Sequence, residues 1–183
     1  VESSSSDDYA SNIDNMIGQG CTLIETLGFA MVDATRIAAL ANPDIQFLML
    51  DSGLVDEIGD ALELDNVKPI VFGTRQAAFL AGYAAAATTQ TGSVGVYGGL
   101  QIPPVVDFMD GFARGVAQYN EAKGTSVEVI GWDVATQEGV FVGGFTDQNA
   151  AKTVSTNMFD QGVDVIMPIS GGRSLYTRIG ATP

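Results

Sequence analysis

The run VKPIVFGTRQAAFLAGYAAAATTQTGSVGVYGGLQIPPVVDFMDGFARG, residues 67–115, decides the fold. It reads as a strand over 67–72, an alanine-rich helix over 76–88, a strand over 92–97, the glycine pair Gly98-Gly99 and a helix over 103–118. Short apolar runs that end in glycine and feed straight into helices are the signature of a parallel sheet covered by crossover helices. In such a sheet the loops that follow the strands face a common crevice, where small ligands bind.

The same alternation continues outward. Toward the N-terminus, a short β start over 1–3 leads through the serine run 3–6 to Asp7 and Asp8, expected as N-cap and first-turn acid of a helix. Ile13, Met16 and Ile17 carry that helix at the proper spacing, and Gly18 and Gly20 end it. A strand over 21–27 is closed by Gly28, an alanine-rich helix over 30–41 follows, and Asn42-Pro43-Asp44 makes a turn before a strand over 45–50 that stops at Asp51. Residues 52–66 are acidic and irregular.

Toward the C-terminus, residues 127–130 form a strand leading to Trp132-Asp133, and 137–144 read as a flexible glycine-rich segment. Thr146 or Asp147 caps a helix that runs to Gln161 with Val154, Met158 and Phe159 inward. A last strand covers 163–169, and Gly171-Gly172 turn into a further helix. On the 103–118 helix, Val105, Phe108, Met109, Phe112 and Val116 share one face and form a core stripe.

Composition excludes several functions. The 183 residues suffice for one domain or two small lobes with a real core, and 46% hydrophobic content with 22 glycines is globular. A formal charge of -14, from 22 acids against 8 bases, argues against nucleic acid or an anionic membrane surface as direct partner. With no histidine, the commonest general base and metal ligand is missing, and no Cys-x-x-Cys spacing offers a zinc or iron-sulfur site. Cys21, the single cysteine, reads as a small buried residue at a strand start. Phosphate-loop, dinucleotide and nucleophile-elbow motifs are all absent, so catalysis finds no support and no cofactor is expected. No run of about twenty apolar residues could span a bilayer.

Several segments carry a specific resemblance. AFLAGYAAA (78–86), GSVGVYGG (92–99), Ile102-Pro103 and FMDGFARGV (108–116), with GFAMVDA (28–34), ANPDIQFLMLDS (41–52) and DQGVDVIMPISGG (160–172), resemble in order the basic membrane protein family of ABC-transporter substrate-binding lipoproteins, whose characterised members bind purine nucleosides. The resemblance implies an α/β, type I periplasmic-binding-protein-like fold, in which two Rossmann-like lobes of parallel sheet are flanked by helices. The lobe boundary is expected near Gly73 to Gln76, giving a first lobe over 1–73 and a second over 74–183. It also implies that the chain is incomplete at both ends, opening in what resembles the family's second strand and stopping where further strands are expected. The lipid anchor that would hold such a protein at the cell surface or in the periplasm, outside the cytoplasm, is expected outside this chain.

Ligand positions follow from the carboxyl-end rule: Gly28, Phe29, Asp51, Thr74, Gln76, Gly98-Gly99, Ser170, Gly171 and Gly172 all follow a strand or open a helix. A nucleoside needs aromatic faces for its base and carboxylates or amides for its vicinal hydroxyls. Phe145 matches the place where the family sets an aromatic against the base, and a core phenylalanine is an equal alternative. Phe29 is a second possible wall, with simple burial favoured. Asp51 fits a ribose hydroxyl acceptor or the cap of a turn. Thr74 and Gln76 lie at the crossing between lobes, where Arg75-Gln76 departs from the family's more usual acidic pair.

The leading expectation is therefore an extracytoplasmic binding protein that captures a nucleoside and passes it to an ABC permease driven by an ATPase on other chains. The effector-binding sensor of a transcription regulator is the alternative, and a nucleoside-processing α/β enzyme a third reading.

Overall fold

The computed structural model describes residues 1–171, and the chain divides into two compact units that part after Phe72. Each is an α/β unit with a parallel sheet.

The first unit comprises α1 (Asp8–Gly18), β1 (Leu23–Leu27), a 3-10 turn (Phe29–Met31), α2 (Val32–Ala41), β2 (Gln46–Leu50) and β3 (Val67–Ile70). Its strands lie in the order β1-β2-β3, all parallel, with Leu27 beside Leu50 and Leu50 beside Ile70 at the carboxyl edge. Alternation sets the burial. Ile24, Phe47, Met49 and Val67 point to one face and bury against Ile13 of α1 and Ala38 and Ala39 of α2. On that same face Thr35 of α2 donates to the hydroxyl of Thr26 at 2.9 Å, so two buried hydroxyls satisfy each other.

Local chemistry corrects some expectations here. Asp7 makes no side-chain cap; instead the Asp8 carboxylate turns back to accept the N–H groups of Ser4 (2.9 Å) and Ser5 (3.1 Å). Residues 1–3 form no strand. Cys21 is only partly buried, packed at the margin of the first core. In the acidic 52–66 segment Leu54 is buried and Val55 pairs with Ala61, so part of that loop is a tight hairpin-like turn.

The second unit comprises α3 (Thr74–Thr88), β4 (Ser93–Gly98), α4 (Pro103–Lys123), β5 (Glu128–Ile130), β6 (Trp132–Asp133), β7 (Glu138–Gly139), α5 (Gln148–Asp160) and β8 (Val165–Ile169). Its parallel sheet runs β5-β4-β8, and β6 and β7 form a small antiparallel ribbon. Val94 and Val96 of β4 face α3 and α4, while Tyr97 faces α5 with Met158 and Ala151. The Tyr97 hydroxyl lies 3.1 Å from that of Ser155.

The pairing of α3 with α4 depends on missing side chains. A Cβ on Gly82 would stand 1.9 Å from the Phe112 carbonyl oxygen, and one on Gly115 would stand 2.0 Å from that of Phe79. Only glycine permits so close a backbone approach. Asp147 caps α5 by accepting from the N–H groups of Asn149 (2.9 Å) and Ala150 (3.0 Å). α4 runs to Lys123, beyond the expected end at 118, and stops at Gly124 in the left-handed conformation. Phe108, expected in the core stripe, is only partly buried.

Asp164, ahead of β8, secures the loop between α3 and β4. Its carboxylate accepts from the Thr89 hydroxyl (2.5 Å) and the N–H groups of Gln90 (2.6 Å) and Thr91 (3.2 Å). Partial burial raises its pKa, but the hydrogen bonds from Thr89, Gln90 and Thr91 together outweigh that and hold it below the ordinary aspartate value.

Candidate functional site

The carboxyl edge of each sheet gathers residues that the sequence singled out. In the first unit Gly28, with φ of 86°, follows β1 and donates its N–H to Leu50 at 2.9 Å. Asp51 follows β2 with φ of 62° and donates its N–H to Ile70 at 2.8 Å. These two bonds tie the exits of β1, β2 and β3 together, leaving Phe29 40% exposed beside them and the Asp51 side chain in solvent. A non-glycine residue at positive φ is uncommon, and aspartate is among the residues that tolerate it.

In the second unit the exits of β4 and β8 are joined in the same way, since Gly99 donates to Ile169 at 2.8 Å. The 137–144 segment, expected to be flexible, is laced to this edge. Gly98 donates to Val140, Val142 donates back to Gly98, and Gly143 and Gly144 both donate to the Gly99 carbonyl. That lacing delivers Phe145 onto the glycine ledge: a Cβ on Gly99 would lie 2.4 Å from the Phe145 ring. Phe145 is partly buried against the second core, with one side packed and the rest open. Gly171, with φ of 72°, sits close by, its missing Cβ 3.9 Å from that of Phe145.

Ser170 separates these residues from β8. It is 1% exposed, and its hydroxyl has no hydrogen-bond partner, a costly arrangement for a buried polar group. Thr74 and Gln76 open α3, which the βαβ path places at the same end of the unit as the exit of β4. Gln76 is exposed and folds back on Gly73, where a Cβ would meet its Oε1 at 2.6 Å. Gly172 lies outside the described residues.

Sequence reasoning missed the support beneath Phe145. Asp110 of α4 is 5% exposed and accepts from Trp132 Nε1 (2.9 Å) and Gln137 Nε2 (3.0 Å) on one oxygen, with Arg75 3.8 Å from the other. Gln137 has φ of 58° and accepts from the Gln101 side chain through its carbonyl. The network holds the β6–β7 ribbon on α4, and the ribbon leads into the segment that presents Phe145. Residues 27 positions apart give no local signal of such a bond.

This arrangement matches a known family. Residues 1–175 match the family described as ABC transporter substrate-binding protein PnrA-like. The chain belongs to that family. Among its relatives, the ABC transporter nucleoside-binding protein BmpA of Lactococcus lactis subsp. cremoris is 30% identical over 93% of this chain and 43% of its own length. A solved ABC-transporter solute-binding protein from Aeropyrum pernix K1 superposes with a TM-score of 0.77 at 26% identity, over 98% of this chain and 48% of that one. A solved transcriptional activator of the comK gene from Bacillus halodurans gives 0.69 at 21% identity, over 96% and 54%, a likeness of fold alone. The chain thus spans about half the length of the relatives it matches. Its units have the type I periplasmic-binding-protein-like architecture of parallel sheets and flanking helices. Among the described residues no helix is long and apolar enough to cross a membrane.

Proposed function

We propose that this chain is the ligand-binding part of an extracytoplasmic ABC-importer component that takes up a purine nucleoside and releases it unchanged. The observation that carries the reading is Phe145, an aromatic ring set against the Gly99 backbone at the carboxyl edge of β4 and β8. A ring backed by bare main chain has one flat face available to a base, and no side chain competes for it. Membership of a substrate-binding family, and 30% identity to a relative named for nucleoside binding, support the ligand class.

In this proposal Asp51 accepts from a ribose hydroxyl, and Ser170 and Gly171 border the base. Gly28, Phe29, Thr74, Gln76 and Gly172 complete the binding loops. Lobes 1–73 and 74–183 are the moving parts, whose closure the ligand favours because it binds the closed state more tightly. A permease and ATPase on other chains receive the cargo, and a lipid anchor keeps the protein at the membrane surface.

Titration calorimetry of the full-length protein with inosine, guanosine and adenosine tests the reading. Phe145→Ala is expected to weaken binding by roughly 1 to 3 kcal/mol, the range for stacking of a base on an aromatic ring. Unchanged affinity would return Phe145 to the core. Free base appearing from inosine during the titration would move the protein to the enzymes instead.

A further inference from the structure

The second unit carries a cavity that lies apart from the Phe145 ledge. It has a volume of about 390 Å³ and is lined by Arg75, Gln76, Phe79 and Leu80 of α3 and Gly111 and Arg114 of α4. Its origin is the close helix crossing: where Gly111 and Gly115 let the backbones touch, no α4 side chain fills the space beside Phe79 and Leu80. The floor is apolar and open, Leu80 being 69% exposed. The rim is basic. Arg75 is paired with Asp107, while Arg114 is exposed and has no acidic partner among the described residues. On a chain with 8 bases and 22 acids, two arginines around one apolar hollow are a local reversal of charge.

The first unit carries the complementary shape. The segment Asp56-Glu57-Ile58-Gly59-Asp60 is a closed turn in which Asp56 Oδ1 accepts the N–H groups of Ile58 (3.0 Å) and Asp60 (2.9 Å). The Asp56 N–H reaches the Asp60 carbonyl at 2.8 Å, and Val55 pairs with Ala61 below. Arg36 steadies the turn through Glu57 at 3.3 Å. At its tip Ile58 is 82% exposed, an apolar knob ringed by three carboxylates. A rigid turn presents such a knob without the usual ordering cost of a flexible loop.

We infer that Ile58 of one copy docks in the α3–α4 hollow of a second copy, with Asp60 and Glu57 meeting Arg114 and Arg75. Knob and hollow lie on different surfaces, so the contact is head-to-tail and can propagate from copy to copy. It is small, and therefore weak and sensitive to salt. It requires neither ligand nor catalytic chemistry and stands apart from the proposed uptake role.

Sedimentation velocity on the full-length protein tests the inference. At about 50 mM salt the sedimentation coefficient is expected to rise with concentration between roughly 10 μM and 1 mM, and to stop rising near 0.5 M salt, where the Debye length shrinks to a few ångströms. Ile58→Asp and Arg114→Glu each abolish the rise; both sites are exposed, and an unchanged Trp132 emission spectrum verifies that the second unit is folded. Restoring opposite charge in the combined variant Arg114→Glu/Asp60→Arg recovers self-association. Concentration-independent sedimentation of the unsubstituted protein, association that survives both single changes, or a combined variant no better than Arg114→Glu alone would each overturn it.

Discussion

The two sheets of this molecule have the same strand direction and the same number of main strands, yet they are clothed differently. In the first unit both helices lie on one face, and the strand β1 alternates strictly between exposed and buried residues. Leu23 and Leu27 are 64% and 69% exposed on the bare face. In the second unit α3 and α4 cover one face and α5 the other, so five of the six β4 residues are buried. Parallel sheets are ordinarily covered on both sides, because each face of a βαβ sheet carries apolar side chains. The first unit thus draws its core from one layer contact and the second from two.

That contrast can be broken most decisively by core deletions. Met49→Ala, at a fully buried position on the clothed face of the first sheet, should cost about 3 kcal/mol, while Leu27→Ala on the bare face should change stability by no more than about 0.5 kcal/mol. Urea unfolding followed by far-UV circular dichroism measures both. Trp132, the single tryptophan, lies in the second unit, so its fluorescence transition should move less than the dichroism transition. Equal losses for Met49→Ala and Leu27→Ala would mean that both faces of the first sheet are packed.

The next effect belongs to the second unit. Gly115→Ala sets a methyl group against the Phe79 carbonyl and should lower stability by about 2 kcal/mol as α3 and α4 are forced apart. Here the Trp132 fluorescence transition should shift, since Trp132 bonds to Asp110 of α4. A smaller loss, about 1 kcal/mol, is expected for Tyr97→Phe, which removes the hydroxyl bonded to Ser155 on the α5 face. No loss at Tyr97 would make the α5 side of the second sheet purely apolar in its energetics.

The smallest effect is acid sensitivity. Because the folded pKa of Asp164 is depressed, its contribution is complete above the unfolded value of about 3.9 and is lost as pH falls through the lower folded value. Asp164→Asn should therefore lower stability at neutral pH and flatten the decline below about pH 4. A variant with an unaltered acid limb would show that the loop holding Thr89 to Thr91 is secured by other contacts.

Much of this was legible in the sequence, and particular residues say why. Gly28, Asp51, Gly98 and Gly171 end or follow strands at positions where apolar runs stop, and those positions are where the carboxyl edges lie. Asp147 was legible as a cap because capping is a contact between near neighbours. The 137–144 segment was not, since its glycines suggested freedom while its bonds run to Gly98 and Gly99 some forty residues earlier. Asp8 was misread for a subtler reason: the same carboxylate can serve the turn before the helix as well as the helix itself.

By itself, then, the sequence determined the alternation of strand and helix, the parallel direction of the sheets and the glycine exits that line their edges. Each of these follows from periodicity and chain stiffness within a few residues. The tertiary structure alone decided which faces are clothed, how closely α3 meets α4, and that Asp110, Trp132 and Gln137 jointly support the approach to Phe145. Those outcomes depend on contacts between residues far apart in the chain, whose energies arise only when packing has brought them within reach.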